Sequence, residues 1–141
     1  MNIANHVARI ARQDPRRKAI IFEGKDISYA ALDACASALA RSLRTNGVRR
    51  GDRIALFLPN IPAFILAYLA GQKAGAIVVS VNSMFKSEEV KYILNDSGAK
   101  VVFTTAELLP SVPHKLCPSV SKTVICEGVS ADQILLNDWL A

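Results

Sequence analysis

The chain lacks most of the signatures by which small proteins announce a chemistry. Its three cysteines, Cys35, Cys117 and Cys126, show no C-x-x-C spacing, and an odd count does not build a disulfide framework, so reduced thiols in the cytoplasm are expected. Its two histidines, His6 and His114, stand apart from any run of Cys, Asp or Glu at ligand spacing, and no metal site is expected. Long apolar runs are missing too. The most apolar stretch, Ala63 to Gly71, is bounded by Pro62 and by Gln72 and Lys73, well short of the roughly 20 residues that span a bilayer. The start, Met1 to Asp14, is polar and has no apolar h-region, which argues against a secretory signal.

Catalytic patterns are equally scarce. Neither G-x-x-x-x-G-K-[ST] nor G-x-G-x-x-G occurs, so no glycine-rich loop is available to bring backbone N–H groups around a phosphate. There is no G-x-S-x-G elbow, no cysteine with a histidine base, and no separated carboxylate pair in an apolar setting. Glu88 and Glu89 are adjacent and point to different faces, which suits a helix start better than an acid and base. Gly71 and Gly75 fit close packing and a helix end. No catalytic, cofactor-binding or metal-binding residue is therefore assigned.

What is present describes a packed domain. A chain of 141 residues with 51% hydrophobic and 21% charged residues is long enough for one core and too apolar for a disordered polyampholyte. Its mean hydropathy of +0.25 points to surface that lies against other protein. The net charge of +5 invites anionic partners. The cations fall in two groups, Arg9, Arg12, Arg16, Arg17 and Lys18, then Arg41, Arg44, Arg49, Arg50 and Arg53. Neither group is interleaved with aromatic residues that would stack bases, so both read as solvated surface and no nucleic acid is expected.

The order of elements is readable from periodicity and punctuation. Asn5 to Gln13 reads as a helix, with Val7, Ile10 and Ala11 at helical spacing, stopped by Asp14-Pro15. Ala19 to Phe22 and Asp26 to Ser28 flank Gly24-Lys25 as a hairpin, and Ser28 caps a helix to Asn46 with Leu32, Cys35, Ala36, Leu39 and Leu43 facing inward. Gly47 ends it. Arg53 to Leu58 is a strand covered on both faces, followed by a buried helix from Ala63 to Lys73. Ala76 to Val81 is a further continuous strand, Ser87 opens a helix with Val90, Ile93 and Leu94 inward, and Gly98 closes it. Lys100 to Thr104 and Thr123 to Cys126 are strands, separated by a segment that Pro110, Pro113 and Pro118 limit to a short helical piece. Ser130 and Gln133 predict a capping box for a helix that includes Ile134, Leu135 and Leu136. The alternation implies an α/β fold, a doubly wound and mostly parallel sheet flanked by helices, as one domain over 1–141. Ligands of such sheets sit beyond the carboxyl ends of strands, here in the loops after Leu58, Val81 and Thr104.

Asp14-Pro15, Ile27-Ser28-Tyr29 with Leu32, and Gly47-Val48-x-x-Gly51-Asp52-Arg53 resemble the start of the adenylate-forming ligase superfamily. Ala55-Leu56-Phe57-Leu58-Pro59-Asn60, Ala70-x-x-Lys73-Ala74-Gly75-Ala76 and Val81-Asn82 through Glu89 to Asn95-Asp96-Ser97-Gly98-Ala99-Lys100 resemble its acyl-CoA synthetase branch in register. Met84 to Val90 lacks the Tyr-Pro pair and arginine usual in peptide-synthetase adenylation domains, which favours the CoA ligases. Ala31 stands where an acid is frequent after the cap, and Ser83 and Ser87 where proline is common; both serines leave the loop and cap workable. The resemblance implies that ATP with Mg²⁺ activates a fatty or aryl carboxylate as an acyl-adenylate, which the CoA thiol then takes. It also implies that the phosphate-binding loop, the nucleotide contacts and the C-terminal domain follow the region present, so the chain reads as a truncated N-terminal subdomain, inactive alone. Asn60 and Asn82 are given a scaffold role. A different class of reading is a stand-alone binding module that presents Arg41, Arg44, Arg49, Arg50 and Arg53 to an acidic partner.

The expected partner is the remainder of a ligase chain, and without it an apolar face from Ala63 to Lys73 or the sheet edge is predicted to drive self-association. Light scattering with a hydrophobic dye checks this: oligomers that bind the dye are expected, and a monodisperse monomer that ignores it would contradict the prediction.

Overall fold

The computed structural model describes residues 2–141. Helix α1 (Ile3–Gln13) is capped by the Asn2 side chain, which accepts the Ala4 N–H at 2.8 Å. Strands β1 (Lys18–Phe22) and β2 (Lys25–Ser28) form a separate antiparallel hairpin. Its turn places Glu23 and Gly24 at positive φ, which glycine accepts without strain. Ser28 Oγ then accepts the Ala31 N–H at 3.1 Å and opens α2 (Tyr29–Thr45), a cap that stabilises by about 1 kcal/mol.

The main sheet holds β3 (Arg53–Leu56), β4 (Ile77–Ser80), β5 (Val101–Thr104), β6 (Lys122–Ile125) and β7 (Ile134–Leu135). The order is β4-β3-β5-β6-β7, with every pair parallel. Between them run α3 (Pro62–Ala74), α4 (Ser87–Ser97) and, after β7, α5 (Leu136–Leu140). The fold is thus α/β, a parallel sheet flanked by helices with a small antiparallel hairpin attached.

Period-two alternation decides which helix covers which side. Ile54, Leu56 and Leu58 face α2, α3 and α5 together with Val101, Phe103 and Val124. Ala55, Phe57 and Val102 face the opposite layer, where Val90 and Leu94 of α4 meet Val112 and Cys117. Because β3 and β5 are covered on both sides, their sequences are continuous apolar runs. A third cluster of Ala4, Leu32, Ala36 and Leu69 joins α1 to α2 and α3, with the hairpin's Ile20 and Ile27 against it. An Asp33–Lys73 ion pair at 2.8 Å ties α2 to α3, and Lys100 holds Asp52 at 2.8 Å. The Asp52 carboxyl is kept below the usual carboxylate range by that Lys100 contact first, then by the Arg49 backbone N–H.

Gly71 and Gly75 do what their spacing implies. A Cβ on Gly71 would lie 2.7 Å from Ile54 Cδ1 and 2.9 Å from Val78 Cγ2, so α3 lies flush on β3 and β4 only because the side chain is missing. Gly75 ends α3 at φ 79°.

Four expectations need correction. Cys35 is exposed, because the buried stripe of α2 runs through Leu32, Ala36, Leu39, Ala40 and Leu43 and leaves Cys35 on its flank. The helix α3 is not covered all round: Ile65 is exposed. Strand β4 is an edge with a half-exposed pattern, since the order places nothing beyond it. The helix α4 does open at Ser87 as expected, with the Lys86 N–H facing the Glu89 carboxylate at 3.5 Å. Ile134 and Leu135 extend the sheet as β7 instead of entering a helix capped by Ser130. Pairing with Val124 and Ile125 satisfies their backbone, and Asp138 reaches back to the Leu135 N–H at 3.2 Å to start α5 later.

Gly71→Val is expected to cost about 1–3 kcal/mol by overpacking the α3–β3 contact. Urea denaturation measures it, and an unchanged midpoint would contradict the flush packing.

Candidate functional site

A parallel sheet whose order reverses leaves a crevice beyond the carboxyl ends of the strands flanking the reversal. Here the reversal lies between β3, whose crossover leads to β4 on one side, and β5, which continues to β6 on the other. The crevice is therefore walled by the segment after β3, Phe57 to Ile61, and the segment after β5, Thr105 to Glu107. These are two of the three loops that the sequence singles out.

Side chains at this end are mostly structural. Asn82 Oδ1 accepts the Met84 N–H at 2.9 Å and closes the turn after β4, so it holds the loop, while Asn60 is exposed beside Pro59. Thr105 Oγ1 accepts the Leu108 N–H at 3.1 Å. Gly128 sits at φ 81°, and a Cβ there would also lie 2.7 Å from the Ala106 Cβ, so the position suits glycine; the Ala106 N–H donates to the Glu127 carbonyl at 2.9 Å and ties the β5 and β6 loops together. Thr104 Oγ1, at the end of β5, is buried without a hydrogen-bond partner.

Next to the crevice, on the α2–α3 side, lies an apolar cavity of about 290 Å³. Phe22 of the hairpin, Leu32 and Cys35 of α2, Leu66 of α3 and Cys126 after β6 line it, with Glu127 at its polar end. The sequence reading missed this cavity, because only the fold brings the hairpin against the end of β6. Burial pushes the Cys126 thiol up to about 12, and burial likewise raises Cys117. A nucleophile needs a thiolate, so neither is one at neutral pH.

The crevice can accept an apolar group but has few means to hold phosphate. Its charged side chains nearest the sheet, Glu107 and Glu127, carry the same sign as a triphosphate, and no glycine-rich nest is present among the described residues. Nor do the described residues contain a cluster of His, Cys, Asp or Glu that could hold a metal ion. What this end of the sheet offers a ligand is shape and apolar surface.

The comparison that decides the family is a match of residues 7–139 to the model of the AMP-binding enzymes. The chain belongs to that family. It is 30% identical over 135 residues to a long-chain-fatty-acid–CoA ligase of Mycobacterium tuberculosis, covering 94% of this chain and 27% of that protein. It is 39% identical over 99 residues to a feruloyl-CoA synthase of Amycolatopsis, covering 70% of this chain and 20% of that one. The crystal structure of an anthranilate CoA ligase in complex with anthranoyl-AMP superposes with a TM-score of 0.92 at 22% identity, over 99% of this chain and 27% of that chain, which shows the shared fold. The chain thus spans about a quarter of the length of the relatives it matches. No helix among the described residues is long and apolar enough to cross a membrane.

Thiol chemistry tests the cavity geometry. Ellman's reagent at pH 8 is expected to modify exposed Cys35 at once, half-buried Cys126 more slowly and buried Cys117 only on unfolding; fast modification of Cys117 would contradict its burial.

Proposed function

We propose that this chain forms the N-terminal part of an AMP-forming acid–CoA ligase. Such an enzyme joins a carboxylate to AMP with loss of pyrophosphate and then passes the acyl group to the CoA thiol. The observation that carries the reading is the family match over almost the whole chain. ATP, Mg²⁺ and CoA are the co-substrates it requires.

The residues at the carboxyl ends do not fit the nucleotide by themselves, for the reasons of charge and loop composition given above. ATP would therefore be held by a further part of the ligase, and this chain contributes scaffold, with a cytoplasmic location as the matching expectation. The same further part would cover the apolar surface around Phe22, Ile61 and Leu66. An aryl or fatty acid is the substrate class favoured by the relatives, one named for long-chain fatty acids and one for a feruloyl group. The exposed arginines of a stand-alone binding module are compatible with either reading, since they lie at the other edge of the sheet.

The test uses the protein encoded by the full gene. Pyrophosphate release from ATP is measured with a panel of fatty and aryl acids, with and without CoA. Acid-dependent release, with AMP formation completed by CoA, is expected. A full-length product that releases no pyrophosphate with any acid would overturn the proposal.

A further inference from the structure

A second, polar cavity lies where α1, α2 and α3 meet, toward the ends of α2 and α3 and away from the crevice. Its volume is about 450 Å³, and it opens between Asn2 and Asn5 of α1, Ser37, Arg41 and Arg44 of α2, and Lys73 of α3. Spacing in the sequence accounts for the convergence on α2. Ser37, Arg41 and Arg44 follow one another at four and three residues, so they share one face of the helix. Asn2 brings α1 to the same corner, because its Nδ2 donates to the Gln72 carbonyl at 2.8 Å.

Donors outnumber acceptors in this cavity. Arg44 donates to the Lys73 carbonyl in the last turn of α3, and a guanidinium has five N–H donors, so most of its capacity remains. Arg41 makes no hydrogen bond or ion pair among the described residues, and the Ser37 hydroxyl and the Asn5 side-chain amide are likewise unengaged. Lys73 differs, since Asp33 answers its charge at 2.8 Å. No Asp or Glu lines the cavity, so two guanidiniums face it uncompensated.

The helix ends around the cavity do not oppose an anion. The α3 carbonyls that would repel it are covered, that of Gln72 by Asn2 and that of Lys73 by Arg44. The start of α1 is itself capped: Asn2 accepts the Ala4 N–H through Oδ1 at 2.8 Å and the Asn5 N–H through its carbonyl at 3.0 Å. The α1 dipole therefore adds its positive sign, while the guanidiniums supply the donors. Ala40 is the one apolar residue in the lining and no aromatic ring stands there, so nothing holds a base or an acyl chain. Two guanidiniums one helical turn apart present the paired N–H groups that a phosphate oxyanion accepts.

We propose that the corner between α1, α2 and α3 binds a compact, free phosphate anion of the pyrophosphate class, held by Arg41 and Arg44 with Ser37 and Asn5 as supporting hydrogen-bond groups. The inference stands apart from the ligase reading, because the crevice beyond the carboxyl ends of the strands contributes no residue to this cavity.

Isothermal titration of the 141-residue chain with inorganic pyrophosphate, free of divalent cations and at fixed ionic strength, tests it. One-to-one binding in the micromolar to low millimolar range is expected, weakening as salt is added. Arg41→Gln/Arg44→Gln should bind at least about ten-fold more weakly. Ser37→Asp, which sets a carboxylate four residues before Arg41, should abolish binding by occupying that guanidinium from within the helix. The charge-matched Arg16→Gln/Arg17→Gln, in the turn after α1, should bind as the parent does. Citrate and glycerol 3-phosphate should both bind more weakly than pyrophosphate. Thermal midpoints check folding; because Arg44 also caps α3, Arg41→Gln and Ser37→Asp decide if the double variant does not melt cooperatively. Should the chain itself not do so, the Arg41→Gln comparison is made in the protein encoded by the full gene. No binding up to about 10 mM pyrophosphate, equal loss in the two double variants, unchanged binding in Arg41→Gln, or tighter binding of citrate or of glycerol 3-phosphate would overturn the proposal.

Discussion

The structure depends on how closely α3 lies on the sheet. Gly71 removes the one side chain that would hold the helix off Ile54 and Val78, and the apolar strands β3 and β5 then have a cover on that face to match α4 on the other. Parallel strands need this double cover, because burying only one face of such apolar sequences would leave the other against water. The loops at the two edges of the sheet inherit their positions from that sandwich.

Those two edges are chemically different. At the carboxyl edge the chain meets an apolar cavity and two carboxylates, with the half-buried Cys126 thiol held protonated. At the amino edge three helices end and the arginines collect. The division follows from right-handed crossovers, which send each helix back toward the start of the next strand. Under the proposed ligase reading, a crevice this apolar and mildly acidic leaves the nucleotide to a further part of the protein.

Much of the architecture was legible because proline and glycine punctuate it. Asp14-Pro15, Gly24, Gly47, Pro62, Gly75 and Gly98 each fall at or within a residue or two of an element boundary, and Ser28 caps the helix it precedes. Strand order was not legible, since a short apolar run looks the same at the centre of a sheet and at its edge; β4 shows this, with Ile77 exposed despite a sequence like that of β5. Ile134 and Leu135 failed for a related reason. A capping-box pattern is local, whereas the decision to pair with β6 is made by a strand already in place. The apolar cavity depends on Phe22 and Cys126, about a hundred positions apart in the sequence, which periodicity cannot bring together.

The measurement closest to the central claim is isotope exchange between labelled pyrophosphate and ATP by the 141-residue chain alone, with Mg²⁺ and a mixture of fatty and aryl acids. No exchange above buffer is predicted, because the groups that would hold the nucleotide are not on these strands. Acid-dependent exchange that purifies with the chain would contradict the account and place a complete adenylating site within it.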